Sequence, residues 1–192
     1  MIEECPNNSI VADLGCYTGD IAQQLVFKKN KVHGYDCNIE FVDMTMKKGI
    51  PVDQADFEYH IPAPDECYDS VVAGELIEHI VHTETFVKEC HRILKDNGTL
   101  IISTPNLAYL GHRIKGLFGI APPIMGYESG EDTEFPGHVR YFTVKTLTEL
   151  LQKYGFEITN IRGSELFKDA SLGDIFPELA YHLIITAKKI AL

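Results

Sequence analysis

Short apolar runs rich in β-branched residues alternate along the chain with amphipathic segments, which is the pattern of a parallel sheet covered by helices on both faces. The runs predict seven strands, at residues 9–14, 31–35, 51–55, 70–74, 99–103, 156–161 and 181–187. The last two are expected to form an antiparallel pair at the sheet edge. We therefore predict an α/β fold with a doubly wound, mostly parallel seven-stranded sheet and an antiparallel last strand.

Helices are predicted between the strands, where apolar residues recur at spacings of three and four. They are expected at residues 20–29, from the cap Asn38 to Gly49, from Thr83 to Asn97-Gly98, at 107–118 and at 143–154. The side chains expected to face the core share this spacing and are Ile21, Leu25 and Phe27 in the first helix, Ile39, Val42 and Met46 in the second, and Phe86, Val87, Cys90, Ile93 and Leu94 in the third.

The segment from residue 119 to residue 137 departs from this pattern, because it is dense in glycine, proline and acidic residues. A connection of this length in a compact domain usually serves as a lid or a binding loop. A chain of 192 residues can bury one continuous core without disulfides or a structural metal. The sequence therefore predicts a single domain over residues 1–192 with a lid-like insertion around 107–137.

The charge of the chain disfavours nucleic acid as a partner. Its 17 basic and 28 acidic residues give a net charge of -11, which repels a phosphate backbone.

The five cysteines include no CxxC pair, so neither a disulfide framework nor a zinc site is indicated. No apolar stretch approaches the ~18 residues of a membrane span, and the opening sequence MIEE lacks the basic and apolar parts of a leader. We expect a cytoplasmic protein that acts on a small molecule, with a homo-oligomer left open.

The most informative segment is a buried strand that runs into a glycine-containing turn and then a helix, Asp13-Leu14-Gly15-Cys16-Tyr17-Thr18-Gly19-Asp20. In that context a ligand can approach the backbone at a helix N-terminus, where amide groups point outward. A dinucleotide fingerprint needs glycine at positions 15, 17 and 20, and only Gly15 fits. A phosphate loop needs Gly-Lys-Ser/Thr, whereas this chain has Gly19-Asp20-Ile21. The segment therefore indicates a different nucleotide-like ligand.

The turn resembles the first motif of the class I S-adenosylmethionine (SAM)-dependent methyltransferases, Asp/Glu-x-Gly-x-Gly-x-Gly, with Tyr17 in place of the middle glycine. Segments at residues 74–79, 100–106 and 138–143 extend the resemblance over nearly the whole chain. They resemble the methyltransferase type 11/23 and ubiquinone-biosynthesis O-methyltransferase group in particular. The resemblance implies a Rossmann-like fold, with SAM as the cofactor.

The same resemblance implies a set of cofactor-binding residues. Asp36 ends the second strand 21 residues after Gly15 and is expected to accept hydrogen bonds from both ribose hydroxyls, at a spacing close to the ~20 of the analogous dinucleotide acid. Asp56 is expected to face the adenine amino group, with Phe57 beside the ring. The full implied set is Asp13, Gly15, Cys16, Tyr17, Gly19, Asp36, Cys37, Asp56, Phe57, Gly74 and Glu75.

After the fourth strand, Glu75-Leu76-Ile77-Glu78-His79 looks like the Glu-x-x-Glu-His motif of this superfamily. On a helical turn its carboxylates and imidazole share one face, a placement with which helices build metal sites. Some relatives use the motif with a divalent ion, and in methyltransferases of small-RNA 3′ ends a later histidine joins it, at the place that His138 has here. The resemblance implies a candidate magnesium set of Glu75, Glu78, His79 and His138, although many members carry the motif without metal. Glu75, His79 and His138 are also the candidate acid/base groups.

Three functions fit these residues. Methyl transfer to a small-molecule acceptor, with a hydroxyl oxygen preferred, agrees with the negative charge of the chain. Methylation of an RNA 2′-hydroxyl would use the Glu/Glu/His/His metal set, in which a cation lowers the pKa of the acceptor hydroxyl. A non-catalytic partner subunit with the same fold would explain why Tyr17 replaces a glycine. Arg140 and Tyr141 are expected either to line an acceptor pocket or to pack beneath the 119–137 segment.

Overall fold

The computed structural model of the chain describes residues 1–122, 137–164 and 170–190. These residues form one seven-stranded sheet in the order β3-β2-β1-β4-β5-β7-β6. Strand β7 runs antiparallel to β5 and β6, and the other neighbouring pairs are parallel. The bounds are Ile10–Leu14 (β1), Lys31–Asp36 (β2), Val52–Gln54 (β3), Tyr68–Gly74 (β4), Leu94–Pro105 (β5), Phe156–Ser164 (β6) and His182–Lys189 (β7). The predicted fold class is confirmed.

Two of the helices begin at a residue whose side chain caps the first turn. The Asn38 side chain accepts a hydrogen bond from the Glu40 amide, and Thr143 forms a capping box with Thr146. The bounds are Asp20–Phe27 (α1), Ile39–Lys47 (α2), Thr83–Ile93 (α3), Leu110–Leu117 (α4), Val144–Lys153 (α5) and Ala170–Ile175 (α6), with short 3₁₀ turns at Ile77–His79 and Pro177–Leu179. In the parts of the chain that the structure describes, no helix combines the length and the apolarity needed to cross a membrane.

Two of the predicted helix faces are partly wrong. Phe27 is 77% exposed because α1 ends there and covers the sheet through Ala22 and Leu25 instead. In α2, Ile39 and Met46 are each 55% exposed, and the buried residues are Val42 and Thr45. A buried threonine replaces an apolar residue because its hydroxyl donates to the Tyr17 carbonyl in the turn between β1 and α1.

The third predicted helix ends earlier than expected. All five of its predicted core residues are buried, but α3 stops at Ile93 and not at Asn97-Gly98. Leu94 is already the first residue of β5, where it pairs with Tyr68 of β4. Helix α4 is also shorter than predicted, and begins at Leu110. Of the lid-like insertion predicted around 107–137, residues 123–136 lie outside the described residues.

The core lies in two layers, one on each face of the sheet. One layer contains Ala12, Leu14 and Ile102 with the buried sides of α3 and α5, and the other contains Val11 and Ile101 with α1. Successive residues of a strand point to opposite faces, so each strand contributes to both layers. The carboxyl ends of the parallel strands meet at one edge of this sheet, where open α/β folds bind their ligands.

Candidate active site

The turn between β1 and α1 has a left-handed backbone at Gly15, Tyr17 and Gly19, with φ angles of 68°, 50° and 80°. A Cβ on Gly19 would lie 2.9 Å from the Thr45 Oγ1, and a Cβ on Gly15 would lie 3.1 Å from a methyl of Leu76. Neither position has room for a side chain. The two glycines therefore let the turn pack against α2 and against the segment that follows β4.

Tyr17 takes the left-handed conformation although it carries a side chain, at a cost of roughly 1–2 kcal/mol. Its amide donates to the Asp36 carboxylate at 2.9 Å, and its carbonyl accepts from the Thr45 hydroxyl at 2.9 Å. Its half-exposed ring lies 4.2 Å from the ring of Phe41 on α2. Three contacts thus fix a residue that stands where the related motif has glycine.

Asp36 ends β2 with its carboxylate fixed from two sides. Oδ2 accepts from the Tyr17 amide and Oδ1 from the Asn38 amide, each at 2.9 Å. The residue is 6% exposed, and each carboxylate oxygen keeps a second lone pair for another donor. A pair of neighbouring hydroxyls, such as those of a ribose, matches this acceptor.

Three further residues of the predicted cofactor-binding set differ in how they are placed. Cys37 and Asp56 are exposed beside the ends of β2 and β3, and Asp56 accepts from the Glu58 amide at 3.0 Å. Phe57 is 4% exposed and packs in the core, with its ring edge-to-face against Phe86. Its ring therefore serves the core here, and its contact with a ligand stays a prediction.

Asp13 and Cys16 lie below the turn and are buried. Burial raises the pKa of the Asp13 carboxyl to about 7, and the Ala22 amide in the first turn of α1 hydrogen-bonds to it. Among the described residues, its Oδ2 has no hydrogen-bond partner. Burial raises the pKa of the Cys16 thiol to about 12, so this thiol stays protonated beside the Thr45 hydroxyl. Asp13 thus presents an acid at a helix N-terminus, whereas Cys16 can offer a ligand only its backbone.

Glu75 follows Gly74 at the carboxyl end of β4 and has a left-handed φ of 49°. It lies outside the 3₁₀ turn Ile77–His79, so the expected helical turn with Glu75, Glu78 and His79 on one face is wrong. Its Oε1 accepts from the Ser103 hydroxyl at 2.7 Å, and its Oε2 lies 3.5 Å from the His182 Nε2. The carboxylate therefore faces β5 and β7.

The structure brings together three of the four predicted metal ligands. Ligand atoms of Glu78, His79 and His138 all lie within 4.8 Å of one another, and the two imidazole rings are 5.0 Å apart. Glu78 is 2% exposed; its Oε2 accepts from Thr104, and its Oε1 has no hydrogen-bond partner among the described residues. Burial, with the nearby charge of Glu75, raises the pKa of Glu78 to about 8. Glu75 does not belong to this cluster, which corrects the predicted set.

Arg140 anchors the segment that carries His138. Its Nε and Nη2 donate to the Val81 carbonyl at 3.2 and 2.7 Å, and its amide and that of Val139 donate to the Glu78 carbonyl. The Tyr141 hydroxyl donates to the His138 carbonyl at 3.1 Å. Arg140 thus fixes two segments that are far apart in sequence, and this contact gives it a structural role.

Two neighbouring residues of β5 explain why Glu75 and Glu78 separate. Ser103 pairs with Ile184 on the face covered by α1, and Thr104, one residue later, points to the opposite face. Ser103 binds Glu75 and Thr104 binds Glu78. The two acids of the motif are therefore directed to opposite faces of the sheet edge.

Four residues of this site were not predicted from the sequence: Thr45, Ser103, Thr104 and His182. Thr45 was not predicted because a buried polar residue was not expected on the apolar face of α2. Ser103 and Thr104 lie near the end of β5, whose apolar pattern gave no reason to single them out. His182 is distant in sequence from the motif and reaches the edge only because β7 is antiparallel, so that its first residue pairs with Pro105.

Comparison with known proteins gives a consistent family assignment. A family model described as "Methyltransferase domain" matches residues 1–161. A probable SAM-dependent methyltransferase of Mycolicibacterium smegmatis is 34% identical over 116 residues, which are 60% of this chain and 38% of that protein. The mitochondrial ubiquinone biosynthesis O-methyltransferase of Mus musculus is 26% identical over 167 residues, which are 80% of this chain and 42% of that protein. The chain thus spans about two fifths of the length of these relatives.

The fold is also shared with solved structures. A SAM-dependent methyltransferase from Mesorhizobium loti superposes with a TM-score of 0.72 at 16% sequence identity, over 97% of this chain and 94% of that one. At this identity the likeness concerns the fold alone.

Proposed function

Because the chain belongs to the class I SAM-dependent methyltransferases, we propose that it transfers the methyl group of SAM to a hydroxyl oxygen of a small-molecule acceptor. The choice of oxygen is supported by the mouse relative, which is named for O-methyl transfer in ubiquinone biosynthesis. A small acceptor is supported by the net charge of -11, since a nucleic acid would be repelled.

The observation that carries the proposal is the pairing of the glycine turn with Asp36. Gly15 and Gly19 let the turn take a left-handed backbone that packs tightly against its neighbours, and Asp36 is oriented by two backbone amides. Asp13 adds a buried carboxylate oxygen without a partner among the described residues, at the N-terminus of α1. A close backbone approach, an acceptor for two hydroxyls and an acid at a helix N-terminus suit a nucleoside that carries a cationic amino-acid tail.

The chemistry asks little of the protein beyond position and a proton acceptor. The sulfonium supplies an activated methyl group; as its carbon bonds to the acceptor oxygen, the sulfur–carbon electron pair stays on sulfur. The hydroxyl proton passes to a base. Glu75, His79 and His138 stand at the carboxyl edge of β4 and are the groups that we assign to this role. SAM-derived S-adenosylhomocysteine and a methyl ether are the products.

We include a divalent cation as a candidate participant at Glu78, His79 and His138. One carboxylate oxygen and two imidazoles within 4.8 Å form a donor set that can bind such an ion. The Glu78 Oε1, which has no hydrogen-bond partner in the described part of the chain, supports this. A cation there would bind acceptor oxygens and lower the pKa of the attacking hydroxyl. The same three groups without an ion remain an acid/base cluster.

The test is calorimetric titration of S-adenosylhomocysteine into the wild-type protein and into Asp36→Ala, with and without magnesium chloride. We expect micromolar binding to the wild type, about -8 kcal/mol. Loss of two charge-assisted hydrogen bonds to ribose should weaken binding to Asp36→Ala by about 30-fold, equal to about 2 kcal/mol.

Asp53→Ala is the matched control. It removes an equal charge from the neighbouring β3, where the carboxylate is 59% exposed and pairs with His33. Its affinity should equal that of the wild type. Absence of binding to all three proteins would contradict the proposed function and favour a non-catalytic partner subunit.

A further inference from the structure

Glu75 has a strained backbone at the edge of the sheet. A left-handed φ in a residue with a side chain costs roughly 1–2 kcal/mol and persists where the surroundings fix it. Here the Glu75 amide donates to both the carbonyl and the hydroxyl of Ser103, at 3.1 and 3.2 Å. The strain is thus fixed by β5, and it turns the side chain out of the line of β4.

The Glu75 carboxylate is positioned by residues from two further strands. The Ser103 hydroxyl donates to Oε1, and the His182 Nε2 stands 3.5 Å from Oε2. The other ring nitrogen of His182 lies 3.4 Å from the Ser164 hydroxyl, which links the ring to β6. With Ser164 donating to Nδ1, Nε2 carries the proton and faces Glu75. The Glu75 side chain keeps 42% of its surface exposed, so a ligand can reach it.

The position of Asp36 indicates which end of the cofactor lies near Glu75. Asp36 lies on β2, on one side of β1, and β4 lies on the other side. Leu14 pairs with Ala73, so Gly15 and Gly74 leave the sheet side by side. With the adenine beside Asp56, near the end of β3, a ligand whose ribose binds Asp36 crosses the glycine turn and extends its other end towards β4. For SAM, that other end bears the positively charged sulfur.

We propose that Glu75, positioned by Ser103 and His182, faces the sulfonium and makes the protein prefer the cationic methyl donor to its neutral product. The proposal rests on the proposed function. Methyl transfer leaves the sulfur as an uncharged thioether, so the attraction to the Glu75 carboxylate ends when the reaction does. His182 acts as a positioning residue, and the loss of attraction favours exchange of S-adenosylhomocysteine for SAM. Burial raises the pKa of Glu75, and the Ser103 hydroxyl and the nearby imidazoles of His182 and His79 oppose that rise.

The test compares two ligands of similar shape that differ in charge at the sulfur position. S-adenosylhomocysteine is neutral there, and sinefungin carries an amine on the carbon that replaces the sulfur. Both are titrated calorimetrically into the wild type and Glu75→Gln. We expect sinefungin to bind the wild type more tightly than S-adenosylhomocysteine does. Glu75→Gln should lower the ratio of the affinity for sinefungin to the affinity for S-adenosylhomocysteine about tenfold, or about 1.4 kcal/mol. The affinity for S-adenosylhomocysteine should stay within about twofold.

Two variants of His182 test its positioning role. His182→Gln keeps a side-chain amide donor and should retain most of the preference for sinefungin over S-adenosylhomocysteine. His182→Phe keeps a ring without a donor and should lower the ratio about threefold. Adding His182→Phe to Glu75→Gln should have no further effect, because His182 acts through Glu75. His33→Phe is the matched control, since His33 forms a comparable pair with Asp53 outside the site.

The outcomes separate the two proposals. If the wild type binds neither ligand, the proposed function fails. If it binds S-adenosylhomocysteine but the ratio is the same in wild type and Glu75→Gln, the charge preference is overturned and the proposed function stands. A parallel loss of affinity for both ligands in Glu75→Gln would show a structural role for Glu75 and would also overturn the inference.

Discussion

The two sides of the ligand-binding edge are built in different ways. The side formed by β1 and β2 consists of main-chain geometry around Gly15 and Gly19 and one oriented carboxylate, Asp36, all from residues 15–36. The side formed by β4, β5 and β7 consists of ionisable side chains drawn from residues 75–182, including Glu75 and His182. The first side suits a ligand of fixed shape, and the second can change its chemistry by substitution without altering the first.

The largest effect is expected where the main-chain geometry of the first side is altered. Gly19→Ala adds a Cβ 2.9 Å from the Thr45 Oγ1 at a φ of 80°. Left-handed strain and overpacking together should lower the free energy of unfolding by about 3 kcal/mol. The affinity for S-adenosylhomocysteine should fall by at least about 30-fold. Chemical denaturation and calorimetry measure the two quantities.

Gly49→Ala is the control for this variant. Gly49 has a similar φ of 78°, but a Cβ there would meet no atom within 4 Å. It should cost about 1 kcal/mol through strain alone and leave ligand affinity unchanged. Equal effects of the two variants on affinity would show that the turn is not a close-approach site.

A smaller and pH-dependent effect is expected on the second side, at Glu78. Its folded pKa of about 8 lies above the ordinary value of 4.5, so the unfolded chain releases this proton first. The stability of the wild type relative to Glu78→Gln should therefore be greatest below about pH 4.5 and decline as the pH rises towards about 8. Denaturation in EDTA between pH 4.5 and 9 measures this difference.

Two additions make the Glu78 experiment specific. Glu149→Gln removes an exposed carboxylate of α5 and should follow the wild-type profile at every pH. Magnesium chloride at pH 8 should stabilise the wild type but not Glu78→Gln, if the cluster with His79 and His138 binds the ion. Identical pH profiles for wild type and Glu78→Gln would contradict the effect of burial on this carboxyl.

The smallest effect is expected at Tyr17, where the first side departs from the usual glycine. Tyr17→Gly relieves roughly 1 kcal/mol of strain but removes a ring contact with Phe41 of similar size, so stability should change by less than about 0.5 kcal/mol. Tyr17→Ala keeps the strain and loses the ring, and should be destabilised by about 1 kcal/mol. Thermal unfolding distinguishes them. If both variants lose the same stability, the backbone at this position is not strained.

The contrast between the two sides of the edge also explains which parts of the site can be predicted from the sequence. The glycine turn and Asp36 follow from local rules, because strand, turn and capping signals lie close together, and the mostly parallel sheet follows from the alternation of strands with helices. The expected helical placement of Glu75 was wrong because it assumed a regular helix after β4, whereas hydrogen bonds from the Glu75 amide to Ser103 fix a left-handed residue there. His182 could not be found because its position depends on the pairing of β7 with β5, which places it opposite Pro105 and which no local pattern specifies.

Strand β5 serves both acids through consecutive residues, Ser103 and Thr104, on opposite faces. The alternation of side chains along β5 determines which face of the sheet each residue serves. Substitutions along the strand change one contact at a time, but the loss or gain of a single residue before position 103 would exchange the two faces. Glu75 and Glu78 would then both lose their present hydroxyl donors at once. Divergence in this part of the chain should therefore proceed by replacement, with strand length kept constant.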